Sequence, residues 1–353
     1  MNDGENEVTN SAIRRLTVVD MHTAGEPVRI VTGGYPELSG ATILDKRRQA
    51  SALHDDLRRA LMLEPRGHSG MYGVIPVRPS IAGADFAALF THGEGYSTMC
   101  GHATIAIGRW LVESKRIAVE EPETCFALEL PCGVVDVRCR VENGRVTGTA
   151  FDSVPAFLSQ ADVAVEVPGF GPVSFDLAYG GAFYALLPAS SLGLDFFETP
   201  LERLVAAGAA ITEAGRRAIE IVHPDAADLA FLYGTILTDD APPPQPSYNL
   251  CIFADGQIDR SPTGSGVTAR MARDYARGLI GSGVERRFFG PTGVPFDARI
   301  IETVPGPAAK AVRVRVGGHS AYCGTATFEI DPDDVLGLGF TLPRNYRALV
   351  GAD

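Results

Sequence analysis

Two short segments of this chain each place a side chain that can hold a proton directly before a glycine. The first, STMCGHAT at residues 97–104, contains Cys100, and the second, DRSPTGSG at residues 259–266, contains Thr263. Each segment runs on into residues whose pattern is typical of a helix. We therefore predict two helix N-termini that face one ligand, with Thr263 standing where a second cysteine would complete the symmetry.

The backbone at these two helix starts suits a negatively charged ligand. The first N–H groups of a helix have no acceptor within the helix, and they lie at the positive end of the helix dipole. We expect Gly101 and His102 at one start, and Gly264 and Ser265 at the other, to bind one carboxylate together. The glycines let the backbone approach that carboxylate closely.

Cys100 is the candidate base or nucleophile. The field of the helix start, with His102 two residues away, favours the thiolate and predicts a reactive sulfur near neutral pH. The alternative is a buried core cysteine, since free cysteines are often buried. His102 is a candidate proton shuttle or acceptor for an ammonium group, and the alternative is a residue merely oriented near the helix start. Asp259 either binds an ammonium group across from His102 or pairs with Arg260, and the spacing leaves both open.

The overall charge argues against nucleic acid or an anionic membrane as a partner. The chain of 353 residues carries a formal charge of −12, and its arginine pairs are isolated rather than clustered. The N-terminal segment MNDGENE is acidic and lacks the basic and apolar regions of a secretory signal. No stretch approaches the roughly 18 uninterrupted apolar residues of a membrane-spanning helix. We expect a cytoplasmic metabolic protein that acts on a small molecule.

Motifs for a cofactor or a metal are missing from the sequence. No dinucleotide or P-loop motif occurs, none of the lysines stands in a Schiff-base context, and the histidines lack metalloprotease spacing. Cys125, Cys132 and Cys139 recur at a regular spacing. Zinc ligands usually come as close pairs on a turn, so we interpret these cysteines as packed side chains. We expect neither a cofactor nor a metal.

Short alternating or apolar runs, broken by glycine and proline, predict a chain rich in strands. Helical patterns are fewer, and they occupy residues 47–63, 103–114, 201–220 and 267–279. The length favours two domains, and the internal similarity of the Cys100 and Thr263 segments places a ligand between them. We predict an α+β protein with a first domain of residues 1–134 plus 325–353 and a second of residues 135–324.

Motifs through most of the chain resemble the proline racemase superfamily of cofactor-independent enzymes. The resemblance is carried by MCGH at residues 99–102 and by DRSPxG at residues 259–264. Further family-like segments are DMHTAGEP at 20–27, EPRGH at 64–68, GGAFY at 180–184 and GLGF at 337–340. The resemblance implies the fold of diaminopimelate epimerase. That fold has two pseudo-symmetric domains, each with a curved mixed β-sheet around a central helix, and an active site in the cleft between them.

The resemblance also implies a reaction. In racemases and 4-hydroxyproline epimerases of the family, two cysteines flank the α-carbon, one removing its proton and the other delivering one to the opposite face. Here Cys100 matches the first position and Thr263 the second, and a threonine hydroxyl is far too weak an acid to replace a thiol near neutral pH. The branch with cysteine first and threonine second resembles trans-3-hydroxy-L-proline dehydratases. The resemblance then implies that Cys100 takes the α-proton, that its thiol or His102 protonates the leaving hydroxyl, and that Thr263 lines the opposite face.

The binding roles follow from the same resemblance. It implies that His102 and Asp259 hold the ring nitrogen of a hydroxyproline-like imino acid. It also implies that Gly264 and Ser265 complete the carboxylate site. Family habit further implies a homodimer.

Two aromatic positions and one departure from the family complete the candidate site. Tyr72 and Phe253 resemble residues that wall the pocket, and the alternative for each is a place in the core. Cys323 stands where a polar or small residue is expected. We interpret Cys323 as a buried small side chain rather than as a third thiol near the cleft.

Two other functions stay open on the sequence alone. A proline racemase or 4-hydroxyproline 2-epimerase would need some other residue on the face that Thr263 occupies. A non-catalytic protein that binds proline-like amino acids would keep the carboxylate site without turnover, and Cys100 and His102 argue against it.

Overall fold

The computed structural model describes residues 13–306 and 310–342. Its α-helices are α1 (Ile43–Leu53), α2 (Asp55–Met62), α3 (Gly101–Glu113), α4 (Leu201–Ala218) and α5 (Gly264–Ala276). Its strands are β1 (Arg14–Thr23), β2 (Glu26–Gly33), β3 (Tyr72–Val77), β4 (Phe86–His92), β5 (Gly95–Ser97), β6 (Glu123–Leu130), β7 (Gly133–Glu142), β8 (Arg145–Asp152), β9 (Phe157–Val167), β10 (Gly171–Tyr179), β11 (Phe183–Pro188), β12 (Leu232–Thr238), β13 (Ser247–Phe253), β14 (Gln257–Ile258), β15 (Glu285–Phe289), β16 (Pro295–Val304), β17 (Ala311–Gly318) and β18 (Ser320–Ile330). In this described part of the chain, no helix is both long and apolar enough to cross a membrane.

Three of the four predicted helices are confirmed as α3, α4 and α5, with small shifts at their ends. The prediction of one helix over residues 47–63 is wrong, because the chain leaves helical geometry at His54, where φ is −138° and ψ is 23°. Asp55 and Asp56 then begin α2, where acidic side chains favour the positive end of the helix. Thr42 caps α1, so that helix begins earlier than the sequence pattern indicates.

The strand pairing repeats itself in the two halves of the chain. In the first half β1–β2 is antiparallel, β2–β3 parallel, β3–β4 antiparallel, β4–β6 parallel, and β6–β7 and β7–β8 antiparallel. In the second half β10–β11 is antiparallel, β11–β12 parallel, β12–β13 antiparallel, β13–β15 parallel, and β15–β16 and β16–β17 antiparallel. Helices α3 and α5 occupy equivalent places in the two series. The predicted pseudo-symmetry is therefore confirmed.

One hydrogen-bonded path of strands runs through both halves. β8 and β17 pair antiparallel across the middle, with Asp152 opposite Arg315. β9, which follows β8, crosses over to pair with β10, and β18 returns from the second half to pair with β1. The repeated pairing pattern of the first half therefore ends at β8, and that of the second half ends at β17. The domain division at residues 134 and 324 stays a prediction.

Each half wraps its sheet around one buried helix. α3 contacts β1, β2, β7, β8 and β18, and α5 contacts β9, β10, β11, β16 and β17. Every side chain of α3 is buried except Arg109 and Glu113, as expected for a helix that is apolar on nearly all sides. α1 and α2 cover the outer face of the first half, and α4 covers the second. The predicted α+β architecture, with a curved sheet around each central helix, is confirmed.

Candidate active site

A closed pocket lies where the N-terminus of α3 meets the N-terminus of α5. Its volume is about 10 Å³, which is the space that one water molecule needs. An amino acid does not fit in that volume, so the pocket must widen before such a ligand enters. The lining includes every residue that the sequence analysis proposed for the site: Tyr72, Cys100, Gly101, His102, Phe253, Asp259, Thr263, Gly264 and Ser265. It also includes four residues that the sequence analysis did not propose: Met99, Tyr184, Tyr233 and Cys251.

The two helix starts touch each other at Gly101 and Gly264. A Cβ atom on Gly101 would lie 2.5 Å from the Cα of Gly264, and one on Gly264 would lie 2.7 Å from the Cα of Gly101. Side-chain carbons do not approach backbone atoms so closely, so both positions require glycine. The contact brings the first N–H groups of both helices to one pocket, as the prediction of two facing helix starts requires.

Cys100 is the N-cap residue of α3. Its Sγ accepts the N–H of Ala103 at 3.4 Å and lies 3.1 Å from Nδ1 of His102. Burial raises the pKa of the Cys100 thiol well above 9.0, and hydrogen bonds from the Ala103 N–H and the Tyr72 hydroxyl oppose that rise. The expectation of a thiolate near neutral pH is therefore wrong for the closed pocket, because desolvation outweighs the field of the helix start. The thiol stays neutral until a base takes its proton.

The imidazole of His102 is a basic group that lies next to that thiol. Burial lowers the pKa of the imidazole below 6.5, while Asp259 and a hydrogen bond to the backbone of Pro27 raise it. Nδ1 of His102 lies 3.9 Å from Oδ2 of Asp259. The ring of Tyr72 packs edge-on against the imidazole, with 4.8 Å between the ring centroids. The imidazole is thus held in place, is neutral near neutral pH, and can accept the Cys100 proton.

Asp259 does not pair with Arg260. Instead, Arg260 donates its backbone N–H and its Nη1 to Oε2 of Glu26, at 2.8 and 3.1 Å. Oδ1 of Asp259 accepts the N–H of Ser261 at 2.8 Å, and Oδ2 faces His102. Glu26 is fully buried, and burial together with the charge of Asp259 raises its pKa. Of the two possibilities that the sequence left open, the geometry favours a carboxylate that faces the ligand.

Thr263 breaks the symmetry of the two helix starts. Its backbone has φ 65° and ψ 88°, a conformation that β-branched residues rarely adopt. Cys100 caps its helix through Sγ, whereas Thr263 provides no side-chain cap. Within the described residues, its buried hydroxyl has no hydrogen-bond partner of regular geometry. Burial raises the pKa of the nearby Cys251 thiol, and the Thr263 hydroxyl lowers it. The Thr263 side chain therefore lines the pocket and does not cap its own helix.

Aromatic side chains from four strands wall the pocket. Tyr72 lies on β3, Tyr184 on β11, Tyr233 on β12 and Phe253 on β13. Tyr233 and Phe253 stack with 5.5 Å between their centroids, and the hydroxyls of Tyr184 and Ser265 are 2.7 Å apart. Tyr184 falls in the family-like segment GGAFY, which is the signal that could have identified it. Tyr233 stands in an apolar strand, and nothing in its local pattern distinguishes it from a core residue.

The remaining cysteines lie outside the pocket. Cys139 is buried in the core as predicted, and Cys132 is partly buried and packs against the core. Cys125 is exposed instead, because alternate residues of β6 face solvent. Cys323 is exposed on β18, so its interpretation as a buried side chain is wrong. Within residues 13–306 and 310–342, no group of three or more His, Cys, Asp or Glu side chains is arranged to hold a metal ion.

Known proteins are similar to this chain in sequence and in fold. The family model described as Proline racemase matches residues 18–341. The trans-3-hydroxy-L-proline dehydratase of Homo sapiens is 48% identical over 334 residues, which cover 93% of this chain and 94% of that protein. The 3-hydroxyproline 2-epimerase of Burkholderia multivorans is 38% identical, over 93% of this chain and 98% of that protein. The crystal structure of a hydroxyproline epimerase from Agrobacterium vitis with bound trans-4-OH-L-proline has a TM-score of 0.88 at 28% identity, over 93% of this chain and 95% of that one.

Proposed function

The chain belongs to the proline racemase family, and we propose that it dehydrates trans-3-hydroxy-L-proline to Δ1-pyrroline-2-carboxylate. The observation that carries the proposal is the unequal pair of helix starts, with Cys100 on one side of the pocket and Thr263 on the other. The similarity to the human dehydratase supports the same activity.

The unequal pair suits a reaction that needs a base on one face of the substrate only. Inversion at the α-carbon needs a proton acceptor on one face and a proton donor on the other. The Thr263 hydroxyl cannot act as that proton donor near neutral pH, because it holds its proton far too tightly. Elimination from a single face makes no such demand.

The stereochemistry of the substrate places both reacting groups on one face. In trans-3-hydroxy-L-proline the 3-hydroxyl and the α-hydrogen both lie opposite the carboxylate. When His102 has accepted the thiol proton, the thiolate of Cys100 takes the α-proton. The C–H electron pair forms the C2–C3 double bond, the C3–O bond breaks, and the proton on His102 leaves with the hydroxide as water. The enamine then gains a proton at C3 and loses one of the two protons of its ring nitrogen, which gives the cyclic imine in its N-protonated form.

The remaining residues bind and orient the substrate. The N–H groups at Gly101, Gly264 and Ser265 bind the carboxylate and stabilise the negative charge that spreads onto it as the α-proton leaves. Oδ2 of Asp259, beside His102, binds the ring ammonium. These contacts to the carboxylate and to the ring nitrogen fix the orientation of the ring, and the aromatic wall excludes water from it.

The rate is expected to be independent of pH between the two shifted pKa values. Transfer of a proton from Cys100 to His102 changes no net protonation, so its extent does not vary while both groups are otherwise neutral. Burial puts the His102 pKa below 6.5 and the Cys100 pKa above 9.0, and kcat/KM should be flat between these values. Below the plateau His102 binds a proton from solvent and the rate falls. The check is kcat/KM for imine formation against pH, with His102→Gln as the variant that loses the acidic limb. A rise centred inside the plateau would contradict the assignment.

The activity is tested by incubating the purified protein separately with trans-3-hydroxy-L-proline, trans-4-hydroxy-L-proline and L-proline. Cyclic imine is followed by proton NMR, and inversion by chiral chromatography. Imine from the 3-hydroxy substrate alone is the expected result. Inversion without imine would establish an epimerase or racemase, and binding without either change would establish a binding protein.

The place of Thr263 is tested by a variant in the same assay. Thr263→Cys adds a thiol on the α5 side of the pocket and should bring about solvent exchange of the α-proton of L-proline with inversion. Thr263→Ser is the matched control, because it keeps a hydroxyl and should leave dehydration as the main reaction. If Thr263→Cys folds, dehydrates and exchanges nothing on L-proline, Thr263 does not face the α-carbon.

Three further proposals rest on the sequence and the family resemblance alone. We propose that the protein is a homodimer and that it acts in the cytoplasm without a cofactor. Light scattering of the purified protein checks the first of these.

A further inference from the structure

A second and larger cavity adjoins the catalytic pocket. Its volume is about 540 Å³, and Tyr233 lines both spaces. One side of this cavity is formed by the first half of the chain, through Arg47 on α1 and Tyr96 on β5. The other side is formed by the second half, through Glu213 and Arg216 on α4. The cavity thus lies at the junction of the halves, beside a pocket of about 10 Å³ that must widen to admit a ligand.

An aromatic partition separates the two spaces. His92 lines the larger cavity, and its ring lies 6.1 Å from that of Tyr233 and 5.8 Å from that of Phe253, which lines the catalytic pocket. Burial lowers the pKa of His92 to about 3, so this imidazole is uncharged near neutral pH. The lining also holds the carboxylates of Glu94, Glu213 and Asp255, which repel an anion, so any attraction for an anion in the cavity comes from Arg47 and Arg216.

The two arginines of the cavity differ in how their hydrogen bonds are satisfied. Arg216 donates to Glu213 and to the carbonyls of Leu232 and Tyr233. Arg47 donates Nη2 to the carbonyl of Tyr96 at 2.6 Å, and its buried Nε has no hydrogen-bond partner within the described residues.

The carboxylate of Asp228 does not supply the hydrogen bond that Arg47 lacks. Asp228 attracts Arg47, but it forms its ion pair with Arg48, at 2.6 Å. Burial lowers the pKa of Arg47, and the charge of Arg48 adds to that effect. A guanidinium that is partly desolvated and incompletely hydrogen-bonded is one that a carboxylate ligand stabilises.

We propose that Arg47 binds the carboxylate of the incoming imino acid in this cavity before the halves close on it. The inference rests on the proposed function, since it assigns an entry step to the same substrate. Arg47 does not line the catalytic pocket, so its contact with the substrate is lost when the ring reaches Cys100. It therefore lowers the barrier to entry and exit and leaves the affinity of the final complex unchanged.

The test measures association rather than turnover. Cys100→Ser is mixed with trans-3-hydroxy-L-proline in a stopped-flow instrument, and tyrosine fluorescence reports the arrival of the ligand among Tyr72, Tyr184 and Tyr233. Adding Arg47→Gln should lower the association and dissociation rate constants together, on the order of 10-fold, and leave Kd unchanged. Salt should slow association to the Cys100→Ser protein, because it screens the guanidinium, and should have little effect once Arg47 is removed.

Two further variants separate charge from structure. Arg47→Lys keeps the charge and should recover most of the association rate. Arg203→Gln removes an equal charge from the exposed surface of α4, outside the cavity, and should change nothing. An association rate that is insensitive to salt before Arg47 is changed, or an Arg47→Gln variant that alters Kd with unchanged rates of entry, would overturn the proposal. If the unsubstituted chain makes no imine and Cys100→Ser binds no 3-hydroxyproline, the proposed function itself has failed.

Discussion

Replacing Cys100 by serine should lower kcat for imine formation by about 10²–10⁴-fold, the range expected for the loss of a positioned general base. A serine hydroxyl at this position holds its proton far more tightly than a thiol, so His102 cannot draw off enough of it to form the attacking anion. The change is nearly isosteric, and the N–H of Ala103 keeps an acceptor for the helix cap. Binding of trans-3-hydroxy-L-proline should therefore persist, which calorimetry can measure.

The matched control for this variant is Cys251→Ala. Cys251 is a second buried thiol in the lining of the same pocket, beside Thr263. The side chain that lowers the pKa of its thiol is Thr263, at the start of α5. Its replacement should leave kcat largely intact. If Cys251→Ala abolished turnover while Cys100→Ser retained it, the roles of the two thiols would have to be exchanged.

Replacing Gly101 by alanine should reduce kcat/KM on the order of 10²-fold, the loss expected when reacting groups are displaced by about an ångström. The added methyl would meet the Cα of Gly264 at 2.5 Å. The added methyl is fixed directly to the backbone at the start of α3, and the atom that it meets is backbone at the start of α5, so neither can turn aside as a long side chain would. The helix starts must move apart, and the carboxylate site with them. The overpacked contact should also cost about 1–3 kcal/mol of folding stability, measured by urea denaturation.

Gly148→Ala serves as the control for this second variant. Its added methyl would find its nearest neighbour, a ring carbon of His319, at 3.6 Å, which is an ordinary contact. Activity and stability close to those of the unsubstituted chain are expected. An active Gly101→Ala variant with normal stability would show that the two helix starts are not in contact in solution.

The sequence was most informative where the chemistry depends on neighbouring residues. A proton-bearing side chain followed by glycine and a helical pattern is a local signal, and it located both helix starts. The replacement of a cysteine by Thr263 is likewise visible without a structure. The family-like motifs then supplied the fold and the positions of Tyr72 and Phe253 in the wall.

What the sequence could not show depends on contacts between distant segments. Tyr233 and Cys251 lie on strands whose apolar pattern is the same for core and for pocket. Glu26, which lies 234 positions from Arg260 in the sequence, accepts its hydrogen bonds. Only the structure therefore reveals that Asp259 is left to face His102. The pKa of a thiol depends on burial as well as on the helix field, and burial is not a local property of the sequence.

The ladder between β8 and β17 has a consequence for how this site could have arisen. A dimer of identical half-length chains could place two helix starts face to face, but its rotational symmetry would put the same residue at both. Here the halves are joined in one polypeptide and by a ladder in which Asp152 lies opposite Arg315. Each half is therefore free to accumulate its own substitutions. A thiol opposite a hydroxyl is a combination that tandem fusion permits and that a symmetric pair of half-length ancestors could not have encoded.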